Sequence, residues 1–471
     1  MNNYSVRLED DQIDYLNDVQ EIPRAFSPYL TIDKESDNYF RWHTYTKDGC
    51  FFVEVDCNLF GKIQENCIIS SSDILYYKRQ TKHFLKNVLY GYLSSNLNIN
   101  LPYGSLTGVR PTKVYYDLLN ENKPPKEYLE KCYSVSQSRA ELIENVVNNQ
   151  KGIINNDLNN IGLFVNIPFC PTRCSYCSFI STEVFRVKKE LPMYVDNVVK
   201  ELELFNNVLK NTGKKIKSIY IGGGTPTSIG VELLNRITEP LKKYNVEFTV
   251  EAGRPDTINL EMLEMLKNNG VTRVSVNPQT FNEKTLKVIG RNHSIDAIYE
   301  AFNQAKSMDF AINMDLIALL QGETLLDFQN SVDKCLELAP DNITIHTLSL
   351  KKGSVLTING DTKKEFGLAK KMLDYAYKEI DKKGYLPYYM YRQKNMADDL
   401  ENVGFCKINK QCSYNIDMME ESMSIFGVGA GAISKIICGN GRIERLANAK
   451  GFREYNDRIS ASIINKTSLF S

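Results

Sequence analysis

Neither sign of charge is in excess. Fifty-seven Lys and Arg balance 57 Asp and Glu in 471 residues, which argues against a general electrostatic hold on nucleic acid or anionic lipid. An apolar stretch able to cross a bilayer is missing too. The longest uncharged candidate, Asn87 to Val109, is broken by Asn, Ser, Pro102, Gly104 and Gly108, whereas a span needs about 20 consecutive apolar residues. The opening MNNYSVRLEDDQIDYL lacks the apolar segment of a signal peptide, so a cytoplasmic location is expected. Internal repeats and low-complexity tails are absent from the sequence. What is there is ordinary for a globular chain: 42% apolar and 24% charged residues, with length for about three domains.

Residues 1–155 read as an α+β domain. Tyr39 to Tyr45 and Cys50 to Cys57 are aromatic and β-branched runs, predicting two strands joined at Lys47-Asp48-Gly49. From Ile74 the pattern turns helical, and Pro125 to Ile153 predicts one or two amphipathic helices. Between them lies a Gly- and Pro-punctuated loop, Tyr103 to Lys113, and Asn155 to Asn160 reads as a linker. Over 160–355 short apolar runs recur at 162–168, 217–222, 246–252, 273–277, 311–318 and 342–349, most of them separated by helical stretches. Val195, Val198, Val199, Leu202 and Phe205 share one helix face. Six β/α units predict an α/β core whose parallel sheet curls into a full or partial barrel. Residues 356–471 read as an α+β extension covering the substrate: a helix over 363–383, an aromatic strand over 385–391, a Gly-rich turn from Phe426 to Ile433 and a terminal helix.

The polar signatures fall at the ends of those six runs. The first leads into Cys170, Cys174 and Cys177, the second into Gly222-Gly223-Gly224-Thr225-Pro226, and the third ends at Glu251. Gln279 follows the fourth, Asp315 lies in the fifth and His346 to Ser349 in the sixth. In parallel β/α barrels the C-terminal rim of the strands carries the chemistry. Eight other cysteines are scattered and read as small apolar core residues.

The clustered three are spaced by four and then three residues on one loop. Structural zinc wants four ligands, yet no second Cys pair accompanies them and the nearest downstream histidine is His293. Three thiolates suit a [4Fe–4S] cluster with one iron open to a ligand, with zinc or plain buried thiols as the alternatives.

The C-x3-C-x2-C spacing, with Tyr176 before the last Cys, resembles the radical SAM superfamily. Ile167-Pro-Phe-Cys170, Gly222 to Thr227, Gln279 and Asp315-Leu-Ile317 resemble oxygen-independent coproporphyrinogen III oxidases. Leu106 to Lys113, Asn277 to Thr280, Tyr391 to Asn395, Glu401 to Gly404 and Gly429 to Lys435 point to their HemZ branch.

The resemblance implies that the open iron binds S-adenosylmethionine (SAM). It implies SAM-binding roles for Phe164, Tyr176, Gly223, Gly224, Thr225, Glu251, Gln279, Arg291 and Asp315, with Ser349 and Ile433 beside the adenine. Arg392, Gln393 and Lys394, after an aromatic strand, suit a flat macrocycle bearing carboxylates. The implied activity is oxidative decarboxylation of coproporphyrinogen III, with flavodoxin or ferredoxin as the electron donor. A heme chaperone and a radical SAM enzyme acting on another tetrapyrrole are the rivals.

The chain departs from the oxidase pattern at named positions. Phe164 replaces a Tyr, Asn166 a His and Phe179 a fourth Cys. Leu319 stands for Gly and Gln321 for Pro in the segment after Asp315, which alters backbone freedom there.

Overall fold

The computed structural model describes residues 3–10, 19–27, 29–69, 71, 73–155, 157–179, 181–349, 367–393, 396–439 and 442–470. Its packing separates two compact units. The first comprises Met1–Val147, Glu365–Gly367 and Tyr391–Glu401; the second comprises Asn148–Lys364, Leu368–Met390 and Asn402–Ser471. The C-terminal third is therefore not a body of its own, as the sequence pattern suggested, but is divided between the two.

In the first unit β1 (Tyr4–Asp10), β2 (Leu30–Ile32), β3 (Tyr39–Lys47), β4 (Cys50–Cys57) and β5 (Gly61–Ile68) form a sheet in the order β2-β1-β3-β4-β5. Asp48 and Gly49 both take positive φ, the conformation a two-residue hairpin needs to match strand twist. Along β4 every second residue is buried, as a half-covered strand requires. Its inner face, Phe51, Val53 and Val55, packs with Trp42 against Leu85, Leu89 and Leu93 of the helix Ile74–Leu97.

The second unit contains β6 (Asn160–Ile167), β7 (Phe169–Cys170), β8 (Thr182–Glu183), β9 (Lys215–Gly223), β10 (Glu247–Val250), β11 (Arg273–Ser275), β12 (Ala311–Ala318) and β13 (Asn342–Thr347). There follow β14 (Leu386–Tyr391), β15 (Asn402–Cys406), β16 (Ser424–Val428), β17 (Ile433–Ile437) and β18 (Ile443–Ala447). Eleven of them make one sheet, ordered β14-β15-β13-β12-β11-β10-β9-β6-β16-β17-β18. The six from β6 to β13 run parallel, as the β/α alternation predicts. Two additions come from the C-terminal third: β15 pairs antiparallel with β13, and β16 pairs parallel with β6. All five residues of β16 are buried, so Phe426 to Val428, the first residues of the stretch read as a Gly-rich turn, belong to an interior strand. The helix Leu191–Thr212 buries Val195, Val198, Leu202 and Phe205, as its spacing predicts, together with Glu201.

The scattered cysteines divide. Cys57, Cys335, Cys406 and Cys412 are buried, Cys50, Cys67 and Cys438 are half-buried and Cys132 is exposed. No helix among the described residues is long and apolar enough to cross a membrane.

Candidate active site

The cysteine loop leaves the C-terminal end of β6. Cys174 is buried while Cys170 and Cys177 are half-buried, and all three thiols are free. Burial pushes the Cys170 and Cys177 thiols up, the negative charge of the neighbouring cysteines adding to it. A bound cation would reverse that preference, since thiolates are the metal-binding form. Among the described residues no three His, Cys, Asp or Glu side chains converge on the position of a single metal ion. A cubane cluster needs no such convergence, because each thiolate binds a different iron. The donor set, three sulfurs with no fourth Cys or His, fits that group.

The loop is held by its neighbours. The Ser175 amide donates to the Ile289 carbonyl at 3.1 Å, and the Thr172 hydroxyl to the Gly290 carbonyl at 2.9 Å. Arg254, 2% exposed, forks onto Asp256 at 2.9 and 2.8 Å and donates to Thr172 Oγ1 at 2.6 Å. Such a bidentate, buried Arg fixes both ends of what it bridges. The sequence reading missed this brace, although Gly253-Arg254-Pro255-Asp256 directly after an apolar run was its signal.

Gly223 and Gly224 end β9 against the same loop. Gly223 has φ 114°, a conformation that glycine alone adopts freely. A Cβ on Gly224 would lie 2.5 Å from the Phe169 carbonyl and 2.9 Å from Cys170 Sγ. Thr225 is buried; its amide donates to the Phe169 carbonyl at 2.7 Å and its hydroxyl approaches Cys170 Sγ at 3.7 Å.

Glu251 follows β10 and accepts from the Tyr220 hydroxyl. Desolvation pushes its carboxyl up to about 7, and the charge of nearby Asp315 adds to the rise against the Tyr220 hydrogen bond. Asp315, on β12, behaves oppositely. Burial presses it upward, but His346, Asn313 and Thr344 outweigh that and hold it below the ordinary range; His346 Nε2 lies 3.6 Å away and Asn313 donates at 2.8 Å. Two neighbouring carboxyls driven apart in this way are a mark of functional sites. Beside them Tyr220 and Tyr414 stack with centroids 4.4 Å apart, and Phe164 stacks on Tyr414 at 6.3 Å.

Gln279 takes φ 67°, which costs a residue carrying a Cβ about 1–2 kcal/mol. It is pinned there by backbone hydrogen bonds to Asp315 and Ile317. Its Oε1 and the Oδ1 of Asn277 are buried without a hydrogen-bond partner, so both can accept from a bound group or water. Leu319 also has a left-handed backbone, φ 66°, which explains why glycine suits this position.

Not every expected residue meets the others as supposed. Arg291 is buried; its guanidinium donates to the Asn277 carbonyl at 2.6 Å and meets Tyr176 and Cys174, bracing the cysteine loop, while its Nε is buried without a hydrogen-bond partner. Tyr176 joins it there, packed against the apolar cluster of Leu286, Ile289 and Ile317. His293 is buried, and burial with the charge of Arg291 pulls it down to about 4, so it stays neutral. Ile433 opens β17 half-exposed, and Ser349 is half-buried just before the undescribed residues 350–366.

Arg392 belongs to the first unit, 4% exposed, where it pairs with Asp399, donates to the Leu106 carbonyl and lies 4.2 Å over the Tyr103 ring, while its Nε is buried without a hydrogen-bond partner. Gln393 donates its amide to Met396 Sδ at 3.0 Å, and Lys394 lies outside the described residues.

Comparison with known proteins follows the same lines. Residues 165–335 match the model of the radical SAM superfamily. The oxygen-independent coproporphyrinogen-III oxidase-like protein HemZ of Bacillus subtilis is 35% identical over 397 residues, covering 81% of this chain and 79% of that protein. The heme chaperone HemW of Buchnera aphidicola is 28% identical over 313 residues, 65% of this chain and 77% of its own. Among solved structures, the coproporphyrinogen III oxidase HemN of Escherichia coli superposes with a TM-score of 0.53 at 20% identity, over 67% of this chain and 73% of that one; this likeness concerns the fold.

Proposed function

We infer the function from one premise: the chain belongs to the HemZ family of oxygen-independent coproporphyrinogen-III oxidase-like proteins, within the radical SAM superfamily. Its cofactors are those of that superfamily, a [4Fe–4S] cluster and SAM. The reaction we propose is oxidative decarboxylation of coproporphyrinogen III to protoporphyrinogen IX. When bound, the cofactor pair supplies a 5′-deoxyadenosyl radical that removes hydrogen from a propionate β-carbon, so that carbon dioxide leaves, a vinyl group forms and one electron passes to an external acceptor.

The protein's part is positioning and electrostatics. Cys170, Cys174 and Cys177 would hold three irons, while Arg254, Arg291 and Tyr176 keep their loop in place. Gly223 and Gly224 let backbone approach the ligand, with Thr225 behind them. Ionised Glu251 and Asp315 would receive cationic and hydroxyl groups of SAM, Gln279 would meet a donor with its unpartnered oxygen, and Phe164, Ser349 and Ile433 would line the rest. An external flavodoxin or ferredoxin would supply the priming electron.

The observation that carries this reading is the three-thiol loop and a half-buried carboxylate pair at one end of the parallel strands. Its test is anaerobic incubation of reconstituted protein with reductant, SAM and coproporphyrinogen III, following porphyrin mass and 5′-deoxyadenosine together. Stepwise loss of two carboxyl groups with matching deoxyadenosine is expected. Deoxyadenosine without any change in the porphyrin points to another substrate. The similarity to HemW supports one second reading, a heme chaperone, which predicts stoichiometric heme binding without turnover.

A further inference from the structure

We propose that the buried pair Glu201–Lys466 is the positioning centre of the SAM pocket, fixing the Gly429–Ala432 turn against Asn166, so that the chain's last helix is a working part of that pocket. The proposal rests on the reading above that SAM lies at this end of the strands, and it adds residues far from the cysteine loop.

Both side chains are fully buried, 0% exposed, with Lys466 Nζ 2.5 Å from Glu201 Oε1. Five groups donate to the Glu201 carboxylate. Besides Lys466 these are the Gly429 amide and the Tyr455 hydroxyl at 2.8 Å, the Ser462 hydroxyl at 2.9 Å and the Asn448 amide at 3.2 Å. Lys466 donates as well to the Gly427 carbonyl. The carboxylate thus ties the helix Leu191–Thr212 to the β16–β17 turn, and that turn to the helices Phe452–Asp457 and Ile459–Phe470.

The turn in its place holds Asn166. The Tyr194 hydroxyl donates to the Asn166 carbonyl at 2.6 Å and accepts from the Ala430 amide at 3.1 Å, while the Asn166 side chain donates to the Ala430 carbonyl. Asn166 lies against Gly223 on its other side, four positions before Cys170. One connected path therefore runs from Lys466 to the glycines and the cysteine loop.

Stability alone does not account for the pair. A buried ion pair can often be replaced by apolar residues of similar volume at no net loss, because desolvation offsets the attraction. An extensively bonded carboxylate does something an apolar pair cannot: it specifies one geometry for every group that donates to it. Small displacements at a binding site weaken it steeply.

The experiment uses full-length, cluster-reconstituted protein and SAM itself. Wild type is compared with the double variant Glu201→Met/Lys466→Met, which keeps the volume apolar, and with Tyr194→Phe, which removes one hydroxyl. Affinity is read by equilibrium dialysis with labelled SAM, and by the change SAM causes in the EPR signal of the reduced cluster. Iron content and thermal midpoint serve as references. The expected result is unchanged iron in both variants, with a midpoint near wild type in Tyr194→Phe and a lowered one in the double variant, where four donors lose their acceptor. SAM affinity is reduced about tenfold in the double variant and about fivefold in Tyr194→Phe, the EPR change being diminished in both. Folded, iron-loaded variants that bind SAM like wild type overturn the proposal; if the double variant does not fold, Tyr194→Phe decides. Absence of SAM binding by the wild type overturns the underlying reading of the pocket instead.

Discussion

Two glutamates in the second unit, Glu201 fully buried and Glu251 half-buried, lead different lives. Glu201 receives hydrogen bonds from five groups and faces a lysine. Glu251 receives the Tyr220 hydroxyl and a bond from the Gly223 backbone, has the like charge of Asp315 nearby and is driven up to about 7. A carboxylate whose needs are met internally holds a structure together. One left under-supplied next to the like charge of Asp315 is suited to a partner from outside, because burying charge without compensation is costly. Hydrogen-bond bookkeeping, more than burial, tells the two apart.

The largest effect expected concerns the loop that gives Glu251 its setting. Changing Cys170, Cys174 or Cys177 to Ala should abolish cluster assembly, read as loss of iron and of the brown colour after anaerobic reconstitution. Full iron in all three variants would end the comparison, since Glu251 would then flank no cofactor site.

Next come the glutamates themselves. Glu201→Ala strands Lys466 in the core and should destabilise by about 3–5 kcal/mol, visible as a large fall in denaturation midpoint. Glu251→Gln should leave the fold intact and weaken SAM binding by about tenfold or more. Its stability effect has a sign fixed by linkage. The folded protein raises the pKa of Glu251, so the favourable contribution of the neutral carboxyl is complete at low pH and is lost as pH rises through about 7. In ligand-free protein, the Gln variant should therefore gain thermal stability relative to wild type between about pH 5 and about pH 8. A constant difference across that window would mean that Glu251 is better solvated than its surroundings indicate.

The smallest effect sharpens the contrast from the backbone. Leu319→Gly relieves a left-handed strain of about 1 kcal/mol but gives up the contact with the cluster around Leu286 and Leu320. A net change below about 1 kcal/mol in chemical denaturation is expected. A loss of several kcal/mol would show that the side chain, not the backbone, dominates there.

Local pattern was enough for the barrel strands, because strands buried on both faces appear as continuous apolar runs: Ala311–Ala318 is found at its expected bounds. The cysteine loop was legible from spacing alone. What escaped depends on partners distant in the chain. Tyr4–Asp10 is too polar to look like a strand, and its pairing with β2 and β3 makes it one. Arg392 and Arg291 were read by their chemistry as ligands for carboxylates, and the protein groups that also meet them, Asp399 and the Asn277 carbonyl, are fixed only by folding. Glu201 carries no local mark either, since its donors come from positions 429 to 466.

The pairing of β16 with β6 has a consequence for how such a protein is made. Asn166 and Ala430, bonded across this part of the sheet, are 264 positions apart, so all the residues between them must be made before the strand that leads into the three cysteines gains its outer neighbour. Contacts so remote in sequence form late and slowly. The strand that leads into the thiols thus remains an open sheet edge until β16 has been made and paired with it.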